Sequence, residues 1–140
     1  MDLYVLCAHR DLETIDLFRR KWLHGAEEVA ASYLFPEFDD EAGKEIALPI
    51  LLELLIENPH QPYRIYWGLK DERFKTGMMF FTDDGGLIVG LGLVYWEESE
   101  PARFLEKFEQ EMEGRCSLMF FETPPPDSIS EFMQLAGHSE

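Results

Sequence analysis

Basic residues are scarce in this sequence. Twelve lysines and arginines stand against 28 aspartates and glutamates, so the formal net charge is −16 at pH 7. Such a charge repels the phosphates of nucleic acids and anionic membrane surfaces, and it attracts basic proteins. The aromatic residues are plentiful, but no stripe of basic residues accompanies them. The composition therefore predicts no binding to nucleic acid or membranes, and favours a basic protein as the partner.

Cysteine and long apolar runs are also scarce. The two cysteines, Cys7 and Cys116, lack the C-x-x-C spacing of a metal site. Each lies in a predicted strand, and we interpret both as buried reduced thiols, because a disulfide requires the two strands to lie side by side. No apolar run approaches the roughly 18 residues of a membrane helix. Asp2 stands where a signal peptide has basic residues. We therefore expect a cytoplasmic protein.

The patterns of known catalytic and cofactor sites are missing. Cys7 and His9 can share one strand face, but the sequence supplies no third group to orient them. The run Gly85–Gly92 has neither the spacing nor the following helix of a phosphate loop. The acidic pairs lack the spacing of a calcium loop. No histidine has the helical partner of a metal pair; the four are His9, His24, His60 and His138. We expect no enzyme activity, no metal and no cofactor.

What is present favours a single α+β domain over residues 1–140. Hydrophobic residues make up 46% of the chain, with 11 Phe, 5 Tyr and 3 Trp. The element order β-α-β-α-β-β-β-α-β-α predicts a mainly antiparallel sheet of about five to six strands, with helices mostly on one face. The clearest signal is a hairpin in which Asp83–Gly86 joins strands Met78–Thr82 and Leu87–Trp96. Gly90 and Gly92 predict that another element packs closely over one face.

Four helices are predicted. Asp11 is expected to cap the first, which ends near Leu23. The second covers Ala42–Glu57, unless Pro49 lies in its first turn and the helix begins at Leu48 instead of bending. The other two are predicted over Pro101–Glu113 and after a cap at Asp127 or Ser128.

Two segments combine large aromatic residues with carboxylates. Such a composition is typical of a protein-binding surface that faces a basic partner, because the charges steer association and aromatic groups supply contact area. The alternative is that the aromatic side chains are buried at the ends of elements and the acids only solvate them. The predicted partner-binding residues are Glu37, Phe38, Asp39, Asp40, Glu41, Trp96, Glu97 and Glu98.

Two stretches resemble a known group of bacterial proteins. They are Thr82–Gly92 and Phe120–Ser128, the latter followed by Glu131-Phe132. A turn, a glycine-bearing strand, a helix and a last strand that ends in Glu and prolines resemble the C-terminal half of immunity proteins encoded beside polymorphic or contact-dependent toxins. The resemblance implies a small acidic cytosolic protein that occludes the active site of its cognate toxin. It implies no particular functional residues, because such families share no fixed binding motif.

Two other classes of function stay open. A small hydrolase that uses carboxylates or a metal would bring acidic groups with raised pKa values into one pocket. A structural or homo-oligomeric accessory protein would use the hairpin strands, or the face of Gly90 and Gly92, as a dimer contact.

Overall fold

A computed structural model describes residues 1–37 and 43–137. In these ranges the chain forms four helices and eight strands. In chain order the elements are β1 (Asp2–Cys7), α1 (Leu12–Trp22), β2 (Glu27–Glu28), β3 (Tyr33–Phe35), β4 (Lys44–Ile46), α2 (Leu48–Glu57), β5 (Tyr63–Gly68), β6 (Phe74–Phe81), β7 (Leu87–Leu93), α3 (Glu100–Glu111), β8 (Gly114–Phe120) and α4 (Ile129–Leu135).

Six strands form the main sheet, in the order β2-β5-β6-β7-β1-β8, and β3 and β4 form a separate pair. Every neighbouring pair is antiparallel. Helices α1, α2 and α3 contribute to the core on one face of the sheet, and α4 packs on the other face. The predicted α+β class, with an antiparallel sheet of about six strands and helices mostly on one face, is confirmed.

The strands divide their side chains between two cores, because successive residues of a strand point to opposite faces. Odd-numbered residues of β1 pack with α1, α2 and α3, whereas Tyr4 and Leu6 pack with α4. Cys7 belongs to the first core and Cys116 to the second, so the two thiols are on opposite faces although β1 and β8 are neighbours. Both are free and buried, as the sequence predicts.

The ends of the helices follow local chemistry. The Asp11 carboxylate accepts a hydrogen bond from the Thr14 N–H at 2.8 Å and caps α1. Helix α2 begins at Leu48 with Pro49 in its first turn, so the unbent alternative is the one observed. The longer helix over Ala42–Glu57 does not form in the described part of that range. Pro49 has no N–H to donate to the Glu45 carbonyl and its ring would clash there, and residues 44–46 form β4 instead. The Ser128 hydroxyl caps α4.

Two strand boundaries differ from the predictions. The residues Val29–Phe35 predict one strand that ends before Pro36. Only Tyr33–Phe35 form a strand there, β3, which pairs with β4, while β2 precedes this range and pairs in the main sheet. The polar stretch Lys70–Lys75 predicts a turn or loop, but strand β6 already begins at Phe74. The Phe74 ring is buried and meets Trp22 edge-on at 6.0 Å, so tertiary packing extends the strand beyond its local signal.

Helix α2 is more apolar than α1 and α3, yet it has only ten residues. At about 1.5 Å per residue its length is about half the thickness of a bilayer core. In the ranges that the structure describes, we find no helix with the length and apolar character needed to cross a membrane.

Candidate protein-interaction site

The sheet separates the predicted partner-binding residues. Glu37 lies beside Arg64, which shares a row of the sheet with Ile88, whereas Trp96 follows the end of β7 beyond Gly92. Four residues of strand, about 13 Å, separate those two rows. The described part of Glu37–Glu41 and the segment Trp96–Glu98 therefore lie toward opposite ends of the sheet and do not form one surface.

Glu37 is engaged within the chain. Its carboxylate forms an ion pair with the Arg64 guanidinium, with Nε and Oε1 3.5 Å apart, and its side chain is only 20% exposed. Burial raises the pKa of Glu37, while the charge of Arg64 and a hydrogen bond from the Arg64 backbone N–H act in the opposite direction. The carboxylate thus covers an N–H at the edge of β5. The remaining predicted residues of this segment lie outside the described residues; they are Phe38, Asp39, Asp40 and Glu41.

Four large apolar side chains are exposed near the opposite end of the sheet. We call Tyr95, Trp96, Met119 and Phe121 the exposed apolar cluster; their exposed fractions are 83%, 38%, 39% and 63%. The rings of Trp96 and Phe121 meet edge-on, 6.4 Å apart at 70°. Sequence reasoning singled out Trp96 for binding and missed Met119 and Phe121. Their spacing of two residues, which puts both on one face of an extended chain, was the available signal.

The backbone around this cluster is held in an uncommon conformation. Tyr95 has φ 57° and Glu122 has φ 49°, in the left-handed region that residues other than glycine rarely adopt. Each costs on the order of 1 kcal/mol. The fold thus keeps an aromatic side chain in water on a strained backbone. Exposed apolar groups that lie close together are typical of a surface that binds a partner.

Acidic side chains flank the cluster. Glu97 and Glu98 follow Trp96 along the chain and are exposed, and Glu122 follows the cluster's phenylalanine. Burial raises the pKa of Asp2, and the charge of Glu122 adds to this effect, against the attraction of the N-terminal amine. Carboxylates and exposed aromatic groups therefore occur together at this end of the sheet.

The two edges of the main sheet differ. At the first edge, β2 pairs with the end of β5, and the Val29 N–H donates to the Tyr66 carbonyl at 3.4 Å. The Glu37 carboxylate covers the Arg64 N–H on the same edge. The second edge is β8, which is the outermost strand in the part of the chain that the structure describes.

The direction of the backbone groups in β8 follows from the neighbouring ladder. Met1 and Leu93 exchange two backbone hydrogen bonds, of 3.1 and 2.8 Å. In an antiparallel pair, residues that exchange both bonds alternate with residues that exchange none. Odd-numbered residues of β1 therefore bond to β7, and Asp2, Tyr4 and Leu6 bond to β8.

The residues of β8 that face β1 are Phe120, Leu118 and Cys116, which are opposite those three. The N–H and C=O groups of Ser117 and Met119 consequently point away from the sheet. Natural sheets protect an open edge with charges, prolines or bulges. Arg115 and a register shift protect the beginning of β8, but residues 116–120 contain no charged residue and no proline.

Arg10 organises the opposite end of the sheet, and sequence reasoning missed it. Its guanidinium donates to five backbone carbonyls at 2.8–3.4 Å and lies over the Phe81 ring, 4.9 Å from its centroid. Burial lowers the pKa of Arg10 to about 10, so it stays charged at neutral pH. The five carbonyls belong to Leu55, Asn58, Gln61, Thr82 and Gly86. Arg10 thereby joins the end of α2 to the β6–β7 turn.

Asp84 has a second role beyond the hairpin turn. Its carboxylate accepts hydrogen bonds of 2.8 and 2.9 Å from the Ile129 N–H at the start of α4. Partial burial raises the pKa of Asp84. The bonds from Ile129, the Thr82 hydroxyl and Ser130 outweigh that effect and hold the pKa below its ordinary value. The hairpin turn therefore fixes the position of the last helix.

The Tyr4 ring, from the neighbouring strand β1, lies over Gly90. A Cβ atom at Gly90 would lie 2.7 Å from Tyr4 Cδ1, whereas one at Gly92 would have ordinary contacts, the nearest at 3.4 Å. The Tyr4 hydroxyl donates to the Thr123 carbonyl at 2.8 Å. The expected close packing exists at Gly90 only, and a side chain of the neighbouring strand supplies it rather than a separate element.

Among the residues that the structure describes, the two carboxylates whose pKa is raised by burial lie apart. They are Asp2 and Glu37, toward opposite ends of the sheet, so these two do not form the acidic pocket of the hydrolase alternative. Asp11 lines a groove beside α1 with other acids, but hydrogen bonds from Thr14 lower its pKa. Among residues 1–37 and 43–137, no group of three or more His, Cys, Asp or Glu side chains is placed to hold a metal ion.

Comparisons of the chain with protein-family models, with curated proteins and with solved structures found no match.

Proposed function

We propose that this chain binds a basic protein, and that the contact is made by the exposed apolar cluster and the acidic residues that flank it. The observation that carries the proposal is the cluster itself. The fold keeps Tyr95 and Phe121 more than half exposed, with Glu97, Glu98 and Glu122 beside them. A few residues dominate the binding energy of a protein interface, and Trp and Tyr are enriched among them, while flanking charges select and steer the partner.

In the sharper form of the proposal, the partner is a cognate bacterial toxin and the chain is its immunity protein. The charge of −16 suits the neutralisation of a basic enzyme. Occlusion of an active site needs no chemistry from the inhibitor. Such a protein acts in the cytoplasm, and two buried free thiols are compatible with that compartment.

The test begins with the product of the gene next to that of this chain. We expect the two purified proteins to form a complex at low salt that weakens as salt screens the charges. We also expect co-expression of this chain to restore growth to cells that produce the neighbouring protein. A neighbouring product that is not toxic would remove the immunity role. If no complex forms even at low salt, the proposed partner is ruled out as well.

A further inference from the structure

We propose that the partner adds a strand to the open edge of β8, and that the added strand is an extended, basic segment. This inference rests on the proposed function, because it uses the same acidic surface and names how a basic protein is recognised there. It adds a contact through the backbone of β8, which binding by the aromatic and acidic side chains alone does not need.

The backbone groups on the open side of β8 are placed to bond to another strand. Ser117 and Met119 direct their N–H and C=O groups away from the sheet, at the spacing with which a new antiparallel or parallel strand would bond. The exposed side of Met119 and the ring of Phe121 lie along the same edge. A strand added there gains hydrogen bonds from β8 and apolar contacts from the exposed apolar cluster.

The other edge of the main sheet is protected. It is closed by the two-residue strand β2, whose residues Glu27 and Glu28 are both charged, and by the Glu37 carboxylate, which covers the Arg64 N–H. Charged and very short edge strands are the usual protection against strand addition. The chain protects one edge in this way and leaves residues 116–120 of the other edge without it.

Charge decides which occupant fits. A second copy is disfavoured by its overall charge, because two chains that each carry a charge of −16 repel one another. A segment that presents lysine or arginine has the complementary charge. In an extended segment its apolar residues would alternate with basic ones, because alternate side chains of a strand face opposite sides.

The probe is a peptide with blocked ends in which lysine alternates with valine over about nine residues, a common strand length. Its affinity is measured at low salt for the wild type and for two variants at one position. Ser117→Pro removes an outward N–H and leaves the cluster, the charges and the β1–β8 bonds in place. Ser117→Ala keeps that N–H. We expect Kd to rise at least about tenfold for Ser117→Pro and by less than about twofold for Ser117→Ala.

A second measurement uses the wild type alone, so that a poorly folded proline variant cannot hide the answer. Saturating peptide should slow hydrogen exchange at the Ser117 and Met119 amides. Unchanged exchange there, or equal affinity for wild type and Ser117→Pro, would overturn strand addition. The proposed function would survive if Trp96→Ala with Phe121→Ala still weakened peptide binding, and it would fail too if that pair had no effect.

A third measurement tests whether the β8 edge binds a second copy of the chain. Sedimentation of the free protein should give a monomer. A dimer that Ser117→Pro dissociates and Ser117→Ala does not would show that the edge serves a second copy, and it would overturn the choice of a basic partner segment.

Discussion

The turn end of the sheet, held by Arg10 and Asp84, and the β8 edge use their polar groups in opposite ways. At the turn end, one guanidinium satisfies five carbonyls and one carboxylate fixes the start of a helix. At the β8 edge, the backbone groups of Ser117 and Met119 face outward, next to large apolar side chains in water. The first region stabilises the fold. The second adds little to stability and presents groups that a partner can use.

This difference predicts that substitutions fall into two classes. Changes at the turn end should lower the free energy of unfolding and leave the interaction surface intact. Changes along the β8 edge should weaken binding and leave unfolding nearly unchanged.

The largest effect on stability is expected for Arg10→Ala. It removes a donor from five carbonyls, of which those of Asn58 and Gly86 keep a second donor in a backbone N–H, and should lower the free energy of unfolding by about 3 kcal/mol. Urea denaturation measures the change. Arg10→Lys keeps the charge but cannot reproduce the planar fork, so it should recover only part of the loss. A loss below about 1 kcal/mol for Arg10→Ala would contradict the role of Arg10.

The second largest loss of stability is expected for Gly90→Ala. It places a methyl group against the Tyr4 ring and should lower the free energy of unfolding by about 2 kcal/mol. Gly92→Ala is the matched control, because it lies two residues along the same strand and meets only ordinary contacts. Thermal denaturation compares them. Equal midpoints for the two variants would show that the Tyr4 contact is not the constraint.

Asp84→Ala should cost about 1 kcal/mol, the usual value of a lost helix cap. The pKa of Asp84 is lowered in the folded state, so its contribution is complete above the ordinary aspartate pKa of about 3.9 and is lost as pH falls through the folded value. The difference in unfolding free energy between wild type and variant should therefore shrink in acid. Asp83→Ala, at the neighbouring exposed position, is the control. A difference that stays constant from neutral to strongly acidic pH would contradict this role.

The smallest effect on stability is expected for Phe121→Ala. Its side chain is already 63% exposed, so the free energy of unfolding should change by less than about 1 kcal/mol. Leu135→Ala in α4 is a control, since Leu135 is 57% exposed. A large loss for Phe121→Ala would make its ring part of the core.

The sequence predicted the elements whose signals are local. The Asp-Gly turn, the Asp11 cap and the helix after Ser128 depend on residues within a few positions of one another, and so does the start of α2 at Leu48, which was one of two alternatives. The site was predicted only in part, because its members meet through the sheet. Phe121 reaches Trp96 from 25 residues further along the chain, and Arg10 reaches carbonyls 45 to 76 residues away. No local pattern reports such contacts.

The central claim is that the end of the sheet with the exposed apolar cluster binds a basic protein. The most direct measurement is calorimetric titration of the neighbouring gene's product with the wild type, with Trp96→Ala/Phe121→Ala and with Leu135→Ala. We predict that the double variant binds at least about 30-fold more weakly, the effect of losing an interface hot spot, while Leu135→Ala binds like the wild type. Equal affinity for all three would contradict the claim.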